Sequence, residues 1–550
     1  MMNKEKVLDL NDLSAENTKR LNQIADGLMS PYTLFIDDCC RKYGDNYLFW
    51  ATPFASRNIF HDDTFLHLCR IRLVMELLEK GEIERIITET NGEYHTLKAV
   101  VGDKIEVIGP EAGRSGDRLI RCANRIRQYG RFFFRNMMYI ICSDKTKKSY
   151  PEHMYVVIGF VTTKDFDGYV FRDNYTTDIE KYHSDVFFLP FIVNNGHLPN
   201  RKVFDLIRNC KSHRFIYDGR LLRLFDHIEI IKYWRFIRKI RKESFSFDGM
   251  DVSWLVRESL DAGKNNSSTF EGLIMRKMIH RLKDMGASVN SFIIWYEGQP
   301  KDILISSAIH NEFPNSACIG YQGRPLMEEL PSEFISGQQY DSRYSPDCMA
   351  IPGRVYEKKA HWFCQTIPVI FAPILRNEYR IQKKNKLPKD KKRILLLLSI
   401  FEDVTKEEIV LIDEYLRNKK EYRVILKNHP TKNDYRIKDY GIENISFEPE
   451  FVTGKLGDCL KDVDVVVASS TASGLEILYE GIPLIIISPK GVLGFSAIPK
   501  ELGDDMFYMV YGKEELKTAL DNSLSKTSIQ NEALEGMLVE KSDRSVGNLF

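Results

Sequence analysis

His429-Pro430 closes an apolar run as YRVILKNHP, and the proline fixes a turn that aims the imidazole past a strand end. An imidazole so placed can donate to a phosphate oxygen, with Lys427 and Lys432 raising the local positive potential. A plain surface turn would also accommodate a lone histidine. Ser469-Ser470-Thr471-Ala472-Ser473-Gly474 lies between a buried run and a helical one. Hydroxyls and free N–H groups at a helix N-terminus make an anion site. Capping needs one such residue, and four within five positions exceed that need. Glu476, one turn further, can accept sugar or ribose hydroxyls, or reach back as a capping-box carboxylate. Trp295-Tyr296-Glu297-Gly298-Gln299-Pro300 ends the run SFIIW. Glu297 can deprotonate an incoming hydroxyl, with Gly298 permitting close approach and Gln299 offering a contact; a solvated loop carboxylate is the alternative. Ser56-Arg57-Asn58, after YLFWATP, would suit an anionic acceptor or a simple turn.

These residues need strand ends to hold them. In the last third, RILLLLSIF, YRVILKNHP, NISFEP, DVDVVVASS and IPLIIIS read as strands. EEIVLIDEYLRN, ASGLEILYEG and KEELKTALDNSL read as the helices between and after them. Strands alternating with helices define a parallel, doubly wound sheet. The first two thirds repeat the theme with longer insertions. There DNYLFWATP, IERIITET, MYVVIGFV, DVFFLPFIV, SFIIWYEG and SACIGYQG read as strands, and FLHLCRIRLVMELLEK as a helix.

The expected fold is therefore α/β, two Rossmann-like doubly wound domains facing a cleft. Residues 1–375 form the acceptor-side unit, 376–392 a Lys-rich linker and 393–550 the donor-side unit. Ligands of such sheets bind beyond the carboxyl ends of the strands, which places all the constellations at the cleft. Asp462-Val463-Asp464 has the DxD spacing but leads into a strand rather than ending one. A catalytic metal is thus not implied, and no cofactor is expected.

The 550 residues carry 78 Lys+Arg against 77 Asp+Glu, a formal charge of +1. Residues 391–550 hold 21 basic against 27 acidic, leaving 57 against 50 before them. Near-neutrality thus hides a basic first part and an acidic second. Ten cysteines include no CxxC pair, and the N-terminus lacks the apolar stretch of a secretory signal. No run approaches the roughly 18 apolar residues that span a bilayer. A reduced, cytoplasmic protein is the expectation.

Two stretches are basic and aromatic together. KYWRFIRKIRK (232–242) holds six basic residues and no acid, and RLIRCANRIRQYGRFFFRNMMYII (118–141) is similar. Their composition suits a helix on an anionic membrane surface, or a packed helix with a solvated basic face. Nucleic-acid binding is not expected, since no helix-turn-helix, RRM-like or zinc signature accompanies them.

The tandem of KNHP and ASSTASGLEILYEGIPLI resembles the donor half of GT-B glycosyltransferases. It is most similar to bacterial surface-carbohydrate enzymes: capsule and O-antigen transferases, polysialyltransferases and capsular Kdo transferases. CDP-glycerol glycerophosphotransferases of teichoic-acid synthesis are similar in the same region. Those families share a His-Pro motif and a paired-hydroxyl motif that hold a cytidine nucleotide, with an acidic-Gly motif in the acceptor half. His429-Pro430, Ser469-Ser470-Thr471 and Glu297-Gly298 match these motifs. WYEGQPKDILISSAIHNEFPNSACIGYQGRP and ELPSEFISG also resemble the middle of surface-carbohydrate biosynthesis proteins. Polysialyltransferases have two acids in the acidic-Gly motif, whereas Tyr296 takes the first place here.

The resemblance spans about residues 285–490. It implies a metal-independent glycosyltransferase with Glu297 and His429 as catalytic residues. Lys427, His429, Pro430, Ser469, Ser470, Thr471, Ser473 and Glu476 would hold the donor, a CMP-sugar by preference. Ser56, Arg57, Asn58 and Gln299 would hold a glycan or lipid-linked glycan acceptor at the cytoplasmic face of the inner membrane. Three alternatives stand beside it: a CDP-polyol phosphotransferase, a UDP-sugar 2-epimerase and a non-catalytic assembly factor at the membrane.

Overall fold

The computed structural model describes the chain except for residues 1–5, 45, 111–114, 145–149, 174, 177–178, 193–200, 377–390, 418, 420, 433, 470, 472, 503–505 and 526–533, and the side chains of 115–122, 124, 125 and 501. Three parallel sheets organise it. Strands β1 (Val7–Asp9), β2 (Arg85–Ile87) and β3 (Glu106–Ile108) pair in that order as a small N-terminal sheet.

The first large sheet holds β4 (Met154–Val161), β5 (Val186–Ile192), β6 (Arg214–Phe215), β7 (Val289–Trp295), β8 (Ala317–Tyr321), β9 (Cys348–Ile351) and β10 (Val369–Phe371). Its spatial order is β10-β9-β8-β7-β4-β5-β6, all parallel. The second holds β11 (Lys392–Leu397), β12 (Tyr422–Lys427), β13 (Pro449–Val452), β14 (Val465–Ser469), β15 (Leu484–Ile487) and β16 (Phe507–Val510). Here the order is β13-β12-β11-β14-β15-β16, again all parallel.

Counted from its own first strand, each sheet runs 3-2-1-4-5-6, the dinucleotide-fold order, with one further edge strand in the first. Central strands such as β14 and β15 are buried along their whole length, which is why they read as unbroken apolar runs. The order reverses between β4 and β7 in one sheet and between β11 and β14 in the other. Crevices open beyond the carboxyl ends of strands at these switch points. The expected fold class of two Rossmann-like doubly wound units is what the topology shows.

The carboxyl-end loops of the two sheets meet. Ser496 N–H, beyond β15, donates to Glu329 Oε2, beyond β8 (3.2 Å). Phe60 and Phe495 stack edge to face at 5.4 Å, and Met327, Leu330 and Ala497 form a small apolar cluster between the halves. Both chain ends also cross over. The long helix Ala15–Tyr43 touches the loop after β15, where Thr18 Oγ1 accepts from Gly491 N–H (3.1 Å) and Asn22 Oδ1 from Gly494 N–H (2.8 Å). At the other end Val539 N–H donates to Pro352 (2.8 Å), and Asn548 Nδ2 to Phe371 O (2.8 Å). The C-terminal residues Val539 and Asn548 therefore pack against the first sheet.

Three sequence expectations are corrected. DNYLFWATP is not a strand but two short helices, Tyr47–Trp50 and Pro53–Ser56. Asn46 and Thr52 cap them through their side chains, and Pro53 at the first helical position favours that start. The strand expected at NISFEP lies a few residues on, at Pro449–Val452. Third, the membrane-facing reading of KYWRFIRKIRK fails for its apolar side: Tyr233, Ile237 and Ile240 of the helix Ile228–Ile240 are buried in the protein. Among the described residues no helix is long and apolar enough to cross a membrane.

Candidate active site

Glu297 sits where β7 ends, at the switch point of the first sheet. The turn is held through its backbone: the N–H groups of Glu297 and Gln299 each donate to Asp302 Oδ2 at 3.0 Å, and Asn58 Nδ2 donates to the Glu297 carbonyl at 3.1 Å. Gly298 adopts φ +62°, and a Cβ there would lie 2.1 Å from the Ser332 carbonyl oxygen. No side chain fits that space. Gly298→Ala is therefore expected to cost at least the ~1–3 kcal/mol of a strained backbone, seen as a lowered Tm; an unchanged Tm would contradict this packing.

The Glu297 carboxylate accepts from Gln299 Nε2 (2.7 Å) and from Arg324 Nε (3.4 Å). Arg324 also grips Glu333, so one buried guanidinium is shared by two carboxylates. Burial raises the Glu297 carboxyl, but the charges of Arg324 and Lys301 outweigh it and hold the group below its ordinary value. Glu333 lies deeper, and burial pushes it up to about 7 despite Arg324. Glu297 is thus ionised at neutral pH and keeps 27% of its side chain exposed, the condition for accepting a proton from an arriving hydroxyl. Gln299 also receives Lys301 Nζ on Oε1.

Ser56 and Arg57 do not form an open acceptor site, a correction to the sequence expectation. Ser56 is 2% exposed and its hydroxyl donates to Pro53 O (2.6 Å). The Arg57 guanidinium, in a residue 3% exposed, donates to Phe334 O (2.9 Å), Gln339 Oε1 (3.0 Å) and Thr33 Oγ1 (3.3 Å). Both are spent on the framework. Asn58 reaches the site indirectly, by holding the Glu297 carbonyl.

In the second sheet His429 follows β12. Its Nδ1 accepts from the Thr431 N–H (3.3 Å) and stands 2.8 Å from Thr431 Oγ1. An Nδ1 that accepts a backbone N–H leaves the ring proton on Nε2, the outward donor. Burial, then the charges of Lys432 and Lys427, lower the imidazole from its ordinary value, so it is neutral at pH 7. Pro430 opens a short 3-10 turn to Lys432, whose Nζ pairs with Glu402 Oε1 (2.9 Å).

Ser469 ends β14 at the other switch point, buried. Ser470 lies outside the described residues. The Thr471 hydroxyl accepts from Ser473 N–H (3.1 Å), and the Thr471 carbonyl from Ala497 N–H (3.3 Å). This loop is therefore tied to the segment that touches Glu329 of the first half. Helix Gly474–Tyr479 has only six residues, with Ser473 as N-cap but no side-chain cap bond. The hydroxyls and N–H groups, rather than a long helix dipole, are what the loop offers an anion.

Sequence reasoning missed three groups here. Arg324, three residues past the end of β8 and after Gln322 and Gly323, carries no local mark of its burial. Arg376 falls at the start of the expected linker, yet its charge acts on two site groups: burial raises both the Tyr175 hydroxyl and the Glu476 carboxyl above their ordinary values, and Arg376 offsets part of each rise.

Glu408 is the third. It lies on the buried side of helix Glu402–Leu416 with Thr405, Ile412 and Tyr415, a carboxylate on an apolar stripe that a periodicity check could have flagged. Only 2% exposed, it faces Ser469 and the backbone of Ser399, beneath the switch point, without closing a hydrogen bond to either. Burial pushes its carboxyl up to about 8, so it is protonated at pH 7.

The folded value exceeds the unfolded one, so protonation favours the fold, and stability falls as pH rises from 4.5 towards about 8. Glu408→Gln removes that dependence. The Tm of Glu408→Gln minus that of the parent is expected to grow across this window; a constant difference would contradict a neutral buried acid.

Two Rossmann-ordered sheets with their carboxyl ends turned to a common cleft, each carrying polar groups at its switch point, are the architecture called GT-B. No family model and no curated protein matches the sequence. Among solved structures, the chain is similar to the UDP-GlcNAc 2-epimerase of Methanocaldococcus jannaschii in complex with UDP-GlcNAc and UDP. That likeness has 11% identity, covers 72% of this chain and 97% of that one, and gives a TM-score of 0.40. An S. aureus MnaA–UDP co-structure shows 8% identity over 68% and 89% of the two chains, with a TM-score of 0.39. The trehalose-6-phosphate synthase OtsA shows 11% identity over 68% and 91%, with a TM-score of 0.37. The strand order and facing carboxyl ends define the architecture independently of these distant likenesses.

Proposed function

We propose that the chain is a glycosyltransferase, moving a sugar from a nucleotide-activated donor, CMP-linked by preference, to a hydroxyl of a surface polysaccharide or lipid-linked glycan at the cytoplasmic face of a membrane. The observation that carries this reading is the pairing of an ionised carboxylate, Glu297, at one switch point with His429 and the Ser469–Ser473 loop around the other.

In this reading the donor phosphate lies between His429 Nε2–H and the N–H and hydroxyl groups near Thr471 and Ser473. Lys427 and Arg376 offset the charge that grows as the sugar–phosphate bond breaks. Glu476 accepts from ribose or sugar hydroxyls. Glu297 takes the proton of the acceptor hydroxyl as its oxygen bonds the anomeric carbon and the nucleotide departs. Gln299 and Arg324 hold that carboxylate ionised and oriented.

The test is product analysis with CMP-sugars and a lipid-linked glycan acceptor. A new glycosidic linkage with release of CMP is expected. A phosphodiester linkage from CDP-glycerol, or conversion of a UDP-sugar with no acceptor, would overturn it.

A further inference from the structure

Among the described residues the two most exposed large apolar side chains, Phe225 and Ile126, lie on two helical segments that touch each other. Phe225 is 88% exposed, and Leu224, Ile228 and Ile231 beside it are 43–52% exposed, all at the entry to helix Ile228–Ile240. On the facing helix, Ser115–Cys142, Ile126 is 74% exposed, with Phe133 and Phe134 also exposed. His227 joins the two: Tyr129 OH stands 3.3 Å from its Nδ1, and the Phe133 ring lies 4.8 Å from the imidazole. The apolar residues thus belong to one surface formed by two segments.

Its unpaired charges are basic. Arg127, Arg131, Arg223, Arg235 and Arg238 are exposed on these same segments, and none of them makes an ion pair among the described residues. The acids nearby have partners of their own: Asp226 meets Arg281, Glu229 meets Lys232, Lys277 and the Tyr47 hydroxyl, and the exposed Asp284 stands 3.6 Å from His280. Protruding phenylalanine and isoleucine rimmed by unpaired arginines suit an interfacial layer of acyl chains beneath anionic headgroups.

We propose that this surface, Ile126–Phe134 with Leu224–Ile231, docks the protein on an anionic lipid bilayer. Tyr233, Ile237 and Ile240 of KYWRFIRKIRK point inward, with Trp234 and Phe236 partly buried, so the contact is made one turn upstream of that stretch and on its neighbour. One helix connects the surface to the cleft. In Ser267–Asp284, Glu271 pairs with Arg135 (3.0 Å) and Phe270 packs on Phe132, while Ser268 Oγ stands against Gln299 (3.4 Å). A lipid-linked glycan held at this bilayer would have its reactive end near Glu297. That placement rests on the proposed transfer reaction; the docking itself does not.

The experiment is vesicle co-sedimentation of the full chain without donor or acceptor, using phosphatidylcholine with and without phosphatidylglycerol. Binding is expected only with the anionic lipid and is weakened by salt. Phe225→Asp, at a solvent-exposed site, should abolish it with an unchanged Tm. The double variant Arg127→Glu, Arg131→Glu should weaken binding at least about 30-fold, from about 1 kcal/mol for each basic side chain lost near the surface. Equal binding to neutral vesicles, or undiminished binding by both variants, would overturn the proposal. So would a dimer in solution that Phe225→Asp dissociates, which would assign the surface to a second copy. Failure of sugar transfer would leave the binding result untouched.

Discussion

Glu297→Gln is expected to lower kcat for sugar transfer about 10²- to 10⁴-fold, the range supplied by a positioned general base. The glutamine keeps the shape and an oxygen for Gln299 and Arg324, so the turn at Gly298 should persist and Tm should change little. Nucleotide affinity should be unaltered, because the donor groups belong to the other sheet. That separation distinguishes proton transfer from a structural role, in which Tm would fall with the rate. Arg324 adds a second readout. With one of its two carboxylates neutral it is left to Glu333 alone, and the repulsion that helps raise Glu333 is removed. An active Glu297→Gln enzyme would displace the base from this residue.

His429→Ala is expected to weaken CMP binding about 10- to 150-fold, the equivalent of one hydrogen bond to a charged group at ~1.5–3 kcal/mol. The loss should appear in calorimetric titration with the circular dichroism spectrum unchanged. His429 is half-buried and follows the strand whose buried residues are Val424 to Leu426. Its ring is neutral at pH 7 because burial and two lysines lower it, so it acts through the Nε2–H dipole rather than as a cation. Acidification should therefore strengthen phosphate binding as the imidazole protonates. Full activity in His429→Ala would remove the donor site from this strand end.

The parallel sheets were legible because buried strands covered on both faces leave an unmistakable mark: VVVAS, LIII and KRILLL have no polar alternation. The same rule misled at YLFWATP, where an apolar aromatic run is broken into two helical turns by Asn46 and Thr52, signals of two residues that the hydrophobicity masked. Strand-end positions of Glu297 and His429 followed from the runs before them. What the sequence hid was depth. Arg57 reads as an exposed turn cation, but the backbone of Phe334 and the side chain of Gln339, nearly three hundred residues away, enclose it. Arg324, Arg376 and Glu408 acquire their roles from partners on other elements, which no local pattern records.

The most direct test of nucleotide use at the second sheet is a thermal-shift comparison of CMP, CDP, UDP, GDP and dTDP, with the native chain and His429→Ala side by side. A ligand that binds only the folded state raises Tm. CMP or CDP should raise it selectively in the native chain and far less in the variant. Selective stabilisation by UDP or GDP, or a shift that His429→Ala leaves intact, would contradict the account.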